Sequence, residues 1–222
     1  MKVGSVLVVA WVLADCVSLQ TRHHYTAGVF LEPRVRAAIP DGVEVRRVFE
    51  KGLDLTKREE GFRSRPYNDI ANYCTVAYGH LIWKRACDGT EPAEFLAGVS
   101  KARGGEILDE DMLYARWTVQ RLTKVKLTEG QFAALCDFTF NVGSGNFAKS
   151  TLLKVVNAGS FDRVPSQLAR WTKAGGQEVA ALARRRQREI DLFFEGLPRP
   201  RGAGPEGEDL SPIDIRTGEG GA

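Results

Sequence analysis

Apolar and polar positions along this chain repeat mostly with a helical period. Leu53, Thr56 and Glu60 recur at intervals of three and four, which places them on one helix face, and Gly61 follows as a terminator. Asp109 reads as the start of a helix carrying Leu113 and Trp117. Thr128-x-x-Gln131 is a capping-box pattern ahead of an apolar helix from Phe132, which Gly143 ends. Ser150 opens the next helix, with Leu152, Leu153 and Val156, and Ser160 another, with Phe161, Val164 and Leu168. A last helix sets Val179, Leu182, Ile190 and Phe193 on one side and closes at Gly196 and Pro198. Strand signals cluster only at 67–78, with 75–78 the clearest run. The pattern predicts an α+β fold, a small sheet lobe beside a larger helical lobe with a cleft between them.

The two ends break the pattern. Residues 6–14 are nine consecutive apolar residues bordered by Lys2, Gly4, Ser5, Asp15 and Ser18. That run is short for a membrane-spanning helix of about 20 residues. It resembles a signal-peptide core, yet no small-x-small cleavage site follows. Leu13-Ala14-Asp15-Cys16 fits a lipoprotein box poorly because of Asp15. A signal-arrest-release segment suits its marginal hydrophobicity best, and a buried N-terminal helix is the bland alternative. The chain therefore divides into an export or anchor segment at 1–20, a connector at 21–50, a catalytic domain at 51–196 and a tail at 197–222. The tail is rich in Gly, Pro and acids, and its few apolar residues predict disorder.

Composition changes the picture only locally. Hydrophobic content of 43% is that of an ordinary globular protein, and the net charge of +3 is slight. From 160 to 190, however, seven Lys/Arg face three acids, which favours an anionic partner such as bacterial cell wall. No nucleic-acid-binding motif accompanies the cluster, so most of these arginines read as a solvated helix face. Of the four cysteines, Cys74 and Cys87 flank the Gly79-His80 element and are candidates to bridge in an exported chain. Cys136 sits in an apolar helix and reads as a buried free thiol, while Cys16 lies in the hydrophobic segment. His23, His24 and His80 form no zinc-site spacing, so no metal is expected.

The candidate chemistry lies in one window. Glu60 ends a short helix on its inward side, Asp69 falls in a polar turn, and Thr75 begins a strand. Lost solvent and the negative helix end both favour a protonated Glu60, which suits a general acid. An ionised Asp69 and a hydroxyl at Thr75 can hold a water on the opposite face of a sugar. Glu59 points about 100° away from Glu60 and reads as a surface charge. Spacing alone leaves open that all three are ordinary surface polar residues.

The wider window resembles the T-even phage lysozymes, through Glu60-Gly61, Tyr67-Asn68-Asp69, Thr75 and Gly79-His80. The blocks at 138–147 (including Asn141-Val142-Gly143), 150–153, 170–176 and 182–189 look closer to the endolysins of lambdoid phages. The resemblance spans roughly 53–194 and implies a lysozyme-like fold with a small antiparallel sheet. It implies Glu60 as general acid, Asp69 and Thr75 on the water, and Arg185 in contact with the acid. His80 and Asn141 are supporting positions. Asn72 and Ala77 stand where the family usually has glycine, and 81–108 runs long through the region of the cleft loops. The implied activity is a cofactor-free muramidase, an endolysin acting as a monomer on peptidoglycan. It would be exported across the inner membrane to the periplasm, with transient anchoring through its N-terminus. A chitin-cleaving glycosidase and a catalytically dead wall-binding module are the alternatives, and intact Glu60, Asp69 and Thr75 argue against the second.

Overall fold

The structure is a computed structural model that describes residues 39–69, 71–200 and 207–219. The hydrophobic segment at 1–20, with Cys16, and the connector up to 38 lie outside the described residues. Helix α1 (Glu50–Glu60) buries Gly52, Leu55, Thr56 and Glu60, as its apolar spacing predicts. Gly61 then turns the chain at φ +71°, a value that favours glycine. Strands β1 (Arg63–Asn68), β2 (Cys74–Ala77) and β3 (His80–Trp83) form an antiparallel sheet in the order β1-β2-β3. Thr75 pairs with Tyr67 on one side and Leu81 on the other. As the central strand, β2 is buried throughout.

The stretch 81–108 is not loop alone. It contains β3, a short helix α2 (Ala93–Ala97) and most of helix α3 (Lys101–Asp111). Asp109 therefore lies in the last turn of α3 and does not open a helix; the start is Ser100, whose hydroxyl accepts from the Arg103 N–H. Gly104-Gly105 hides this helix in the sequence, and packing explains the pair. A Cβ at Gly104 would lie 2.8 Å from Phe62, and one at Gly105 3.2 Å from Lys57. Val76, Ala77, Val99 and Ile107 make a small second core between α3 and the sheet.

The helical lobe is built on α5 (Glu129–Val142), preceded by α4 (Leu113–Leu122). Every residue from Gly130 to Val142 is buried, so this helix is the lobe's axis. Both halves of its capping box form, Thr128 Oγ1 accepting from Gln131 N–H and Gln131 Oε1 from Thr128 N–H. Helices α6 (Ser144–Lys149), α7 (Thr151–Asn157) and α8 (Val164–Ala169) follow, with a 3-10 turn, Phe161–Arg163, before α8. A hairpin of β4 (Lys173–Ala174) and β5 (Gln177–Glu178) leads into the final helix α9 (Ala180–Phe193). Close approach at Gly130, where a Cβ would meet the Leu192 carbonyl oxygen at 2.4 Å, lets α9 lie against α5.

Two expected boundaries move. The connector does not run free to residue 50. Val48 enters the main core, the Arg46 N–H bonds Gln120, and its guanidinium lies 4.4 Å over the Phe132 ring. Nor is the tail disordered over 207–219, because Ile213 and Ile215 are buried in the main core. Composition averaged over the tail conceals these two apolar residues and the polar side chains that receive their neighbours.

Thr128→Ala should remove the anchor of the α5 cap and cost about 1 kcal/mol. Urea unfolding of the variant checks this. An unchanged midpoint would mean that the packing of α5, not its cap, fixes its start.

Candidate active site

Glu60 closes the last turn of α1 just before the chain enters β1, and it is only 8% exposed. Arg185, one helical turn into α9, reaches it with Nη1 2.9 Å from Glu60 Oε1. The other edge of the same guanidinium grips Asp137 on α5, Nε to Oδ2 and Nη2 to Oδ1, both at 2.9 Å. Thr56, one turn back on α1, donates its hydroxyl to Asp137 Oδ1 at 2.8 Å. Three helices thus converge on one cation. Burial disfavours the Asp137 carboxylate, yet the charge and bonds of Arg185 outweigh it and hold its pKa below the ordinary value.

The network extends inward. Arg186 donates to the Asn141 side-chain oxygen and stacks 4.9 Å over the Phe138 ring. Its Nη2 lies 3.3 Å from Glu189, which is fully buried. Burial raises Glu189 well above the carboxylate range, and Arg186 offsets only part of that. Sequence reasoning assigned no role to Asp137, Arg186 or Glu189. A usable signal was present: an acid at 137 inside the apolar run 132–140 requires a buried partner. Glu59 is not the solvated charge its spacing suggested, because Arg188 holds it at 2.6 Å and leaves its side chain 11% exposed. Arg163, Arg170 and Arg186 likewise leave the expected solvated face to make buried or half-buried pairs.

Asp69 follows β1, and Thr75 is the second residue of β2. Asp69 is half-buried, and its Oδ1 accepts from the Tyr73 N–H at 2.8 Å while the Asn72 N–H bonds its carbonyl at 2.9 Å. Asn72 takes φ +60°, the left-handed conformation that asparagine tolerates best after glycine. Thr75 is 2% exposed and its hydroxyl donates to the Tyr73 carbonyl at 3.1 Å. Ala77, also in place of a glycine, adopts φ +56°, a position where a side chain is strained. Tyr67 is the strand partner of Thr75. Burial pushes its pKa up to about 12, with Arg63 opposing and the negative charges of Asp69 and Glu60 both adding.

Cys74, next to Thr75, forms a disulfide with Cys87, as the export reading anticipates, with the Cα atoms 4.7 Å apart. Glu91 lies against it, 3.4 Å from Cys74 Sγ, and accepts from the N–H groups of Asp88 and Gly89. Cys74, Cys87 and Glu91 are close enough to share a metal, but a disulfide sulfur is not a thiolate ligand. Cys136 is a buried free thiol. Asn141, together with Glu59, Arg184, Arg185 and Arg188, lines a cavity of about 240 Å³ beside this network. His80 Nδ1 lies 2.9 Å from Asp111 Oδ2 and ties β3 to α3.

Glu60 is thus buried against Arg185, while Asp69 follows β1 and Thr75 lies second in β2. The phage lysozyme family model matches residues 57–189. A SAR-endolysin of bacteriophage PS119 is 34% identical over 167 residues, 75% of this chain and 95% of that protein. The endolysin of Bacillus phage B103 is 32% identical over 67% of this chain, which spans about half (54%) of that relative's length. A mutant of the phage P22 lysozyme superposes with a TM-score of 0.59 at 30% identity, covering 67% of this chain and 98% of that one. This chain belongs to the phage lysozyme family and is a lysozyme-type glycoside hydrolase that lyses peptidoglycan.

Burial disfavours the His80 imidazolium, but the hydrogen bond and charge of Asp111 prevail and raise its pKa. A raised folded pKa means that the stabilisation is complete below the unfolded value, about 6.5, and is lost as pH rises through the folded one. The stability difference between wild type and His80→Gln should therefore shrink with rising pH. A difference that grows with pH in urea unfolding would contradict the His80–Asp111 pair.

Proposed function

We propose that the chain is an endolysin that cleaves the β-1,4 bond between N-acetylmuramic acid and N-acetylglucosamine, with Glu60 as general acid. The observation that carries this reading is the burial of Glu60 at the end of α1, just before β1, where Arg185 holds it. Glu60 gives its proton to the glycosidic oxygen as the bond to the anomeric carbon breaks. A water held by Asp69 and Thr75 attacks that carbon from the opposite face, and its proton passes to Asp69. In inverting glycosidases the two carboxyl groups stand roughly 6.5–9.5 Å apart, leaving room for the water. No organic cofactor or metal takes part, and the protein acts as a monomer.

The substrate lies outside the inner membrane, so the same reading includes export to the periplasm. The run at 6–14 serves as a signal-arrest-release anchor, in keeping with a relative named SAR-endolysin. Its marginal apolarity makes insertion dependent on membrane potential. Among the described residues no helix is long and apolar enough to cross a membrane.

Glu60→Gln should keep the fold, since Asp137 still holds Arg185, and should lose about a hundredfold or more in activity. Clearing of purified peptidoglycan, with the new reducing ends identified, checks this. Reducing ends on N-acetylmuramic acid support the reading, and free amino groups or cleavage of chitin alone would overturn it. A second outcome follows from the water's position. The first-formed product should carry the inverted anomer by NMR, and a retained anomer or a trapped glycosyl-enzyme would assign Asp69 a nucleophilic role instead.

A further inference from the structure

Residues 207–219 lie beyond the matched family span and pack on the helical lobe without helix, turning at 215–217. Their backbone pairs with β4. The Lys173 N–H donates to the Ile213 carbonyl at 3.1 Å and the Ile215 N–H to the Lys173 carbonyl at 3.0 Å, a parallel bridge centred on Asp214. Between these bonds Ile213 and Ile215 drop into the main core, 6% and 2% exposed. The side chains around this strand are set to receive it. Asn146 Nδ2 donates to the Ile215 carbonyl at 2.7 Å, and Arg170, itself 8% exposed, donates to the Ser211 carbonyl and to Asp209, both at 3.1 Å.

Each end is pinned by a carboxylate. Glu208 accepts from Arg163 Nε at 2.9 Å, Ser166 Oγ at 3.0 Å and Gln167 Nε2 at 2.7 Å. Glu219 accepts from the Thr151 N–H at 2.9 Å and the Thr151 hydroxyl at 2.6 Å. Four acids against the single Arg216 make the segment anionic, and Arg163, Arg170 and Lys173 make its bed cationic. Main-chain pairing for affinity, alternate side-chain pockets for register and charged ends for orientation are the parts of a strand-addition peptide site.

We propose that the groove formed by residues 146–151 and 163–176 is a binding site for an extended acidic peptide, occupied in cis by 208–219. The occupant acts as a strap. It covers the edge of β4, whose hairpin leads directly into α9 and so to Arg185. Release of the strap should loosen that hairpin and lower lysis.

Two measurements on the full chain test the site without relying on any enzymatic activity. In the first, a protease site is placed within 201–206 and cut in the folded protein. The tail fragment should co-elute with the body at micromolar concentration and be displaced by excess synthetic 206–220 peptide. The same peptide carrying Glu208→Gln and Ile213→Ser should compete at least about tenfold more weakly, because it loses a charged acceptor and a buried side chain. In the second, the uncut chain bearing the same two substitutions should exchange its Lys173 and Ile215 amides at least about tenfold faster, with α5 amides unchanged. The site is overturned if the fragment leaves a folded body freely, if both peptides compete equally, or if those amides exchange as in wild type. Loss of lysis with the fragment still bound would count against the muramidase reading alone.

Discussion

The guanidinium of Arg185 is the group on which the two lobes agree. It is supplied by α9, neutralised by Asp137 of α5 and presented to Glu60 at the end of α1, where the chain passes into the sheet. A buried ion pair is not by itself a strong source of stability, because desolvation offsets most of its attraction. Its value lies in what happens when one member is absent: an uncompensated buried charge costs roughly 3–5 kcal/mol. The arrangement therefore tolerates only one relative placement of α1, α5 and α9. Thr56 completes it by filling one lone pair of Asp137, so the acid network and the helix packing specify the same geometry.

Much of this was legible in the chain. The spacing of Leu53, Thr56 and Glu60 predicted the inward face of α1, although Leu55 rather than Leu53 is its buried leucine, and Thr128-x-x-Gln131 predicted the start of α5. The placement of Arg185 against the acid came from resemblance and not from periodicity, because the contact joins residues 125 positions apart. Local signals failed where tertiary contacts decide. The stretch 81–108 reads as long cleft loops, yet Gly104-Gly105 lies inside α3, where Phe62 leaves no room for a Cβ at Gly104. Arg163 and Arg170 read as solvated, yet their partners are in a tail that composition alone would leave unfolded.

The sheet lobe contributes in a different way. Asn72 takes a positive φ that asparagine tolerates, Ala77 one that strains its side chain, and the disulfide at Cys74 adjoins Thr75. Strain and a covalent clamp thus bracket the short strand carrying the hydroxyl. Backbone strain of this kind persists only where the surroundings over-determine it. Here the surroundings are the buried strand β2 and the helix α3 packed on it, itself tied to β3 by His80 and Asp111.

Asp137 holds Arg185, and Arg185 holds Glu60, so a change at Asp137 should reach Glu60 through the guanidinium. A double-mutant cycle of Asp137→Asn and Arg185→Lys, read as lysis rate with folding verified for each variant, tests it most directly. Residues joined in one network show a coupling energy of about 0.5–3 kcal/mol, and that is the expected result. Losses that add to within about 0.3–0.5 kcal/mol would mean that the two residues act independently, and would contradict the account.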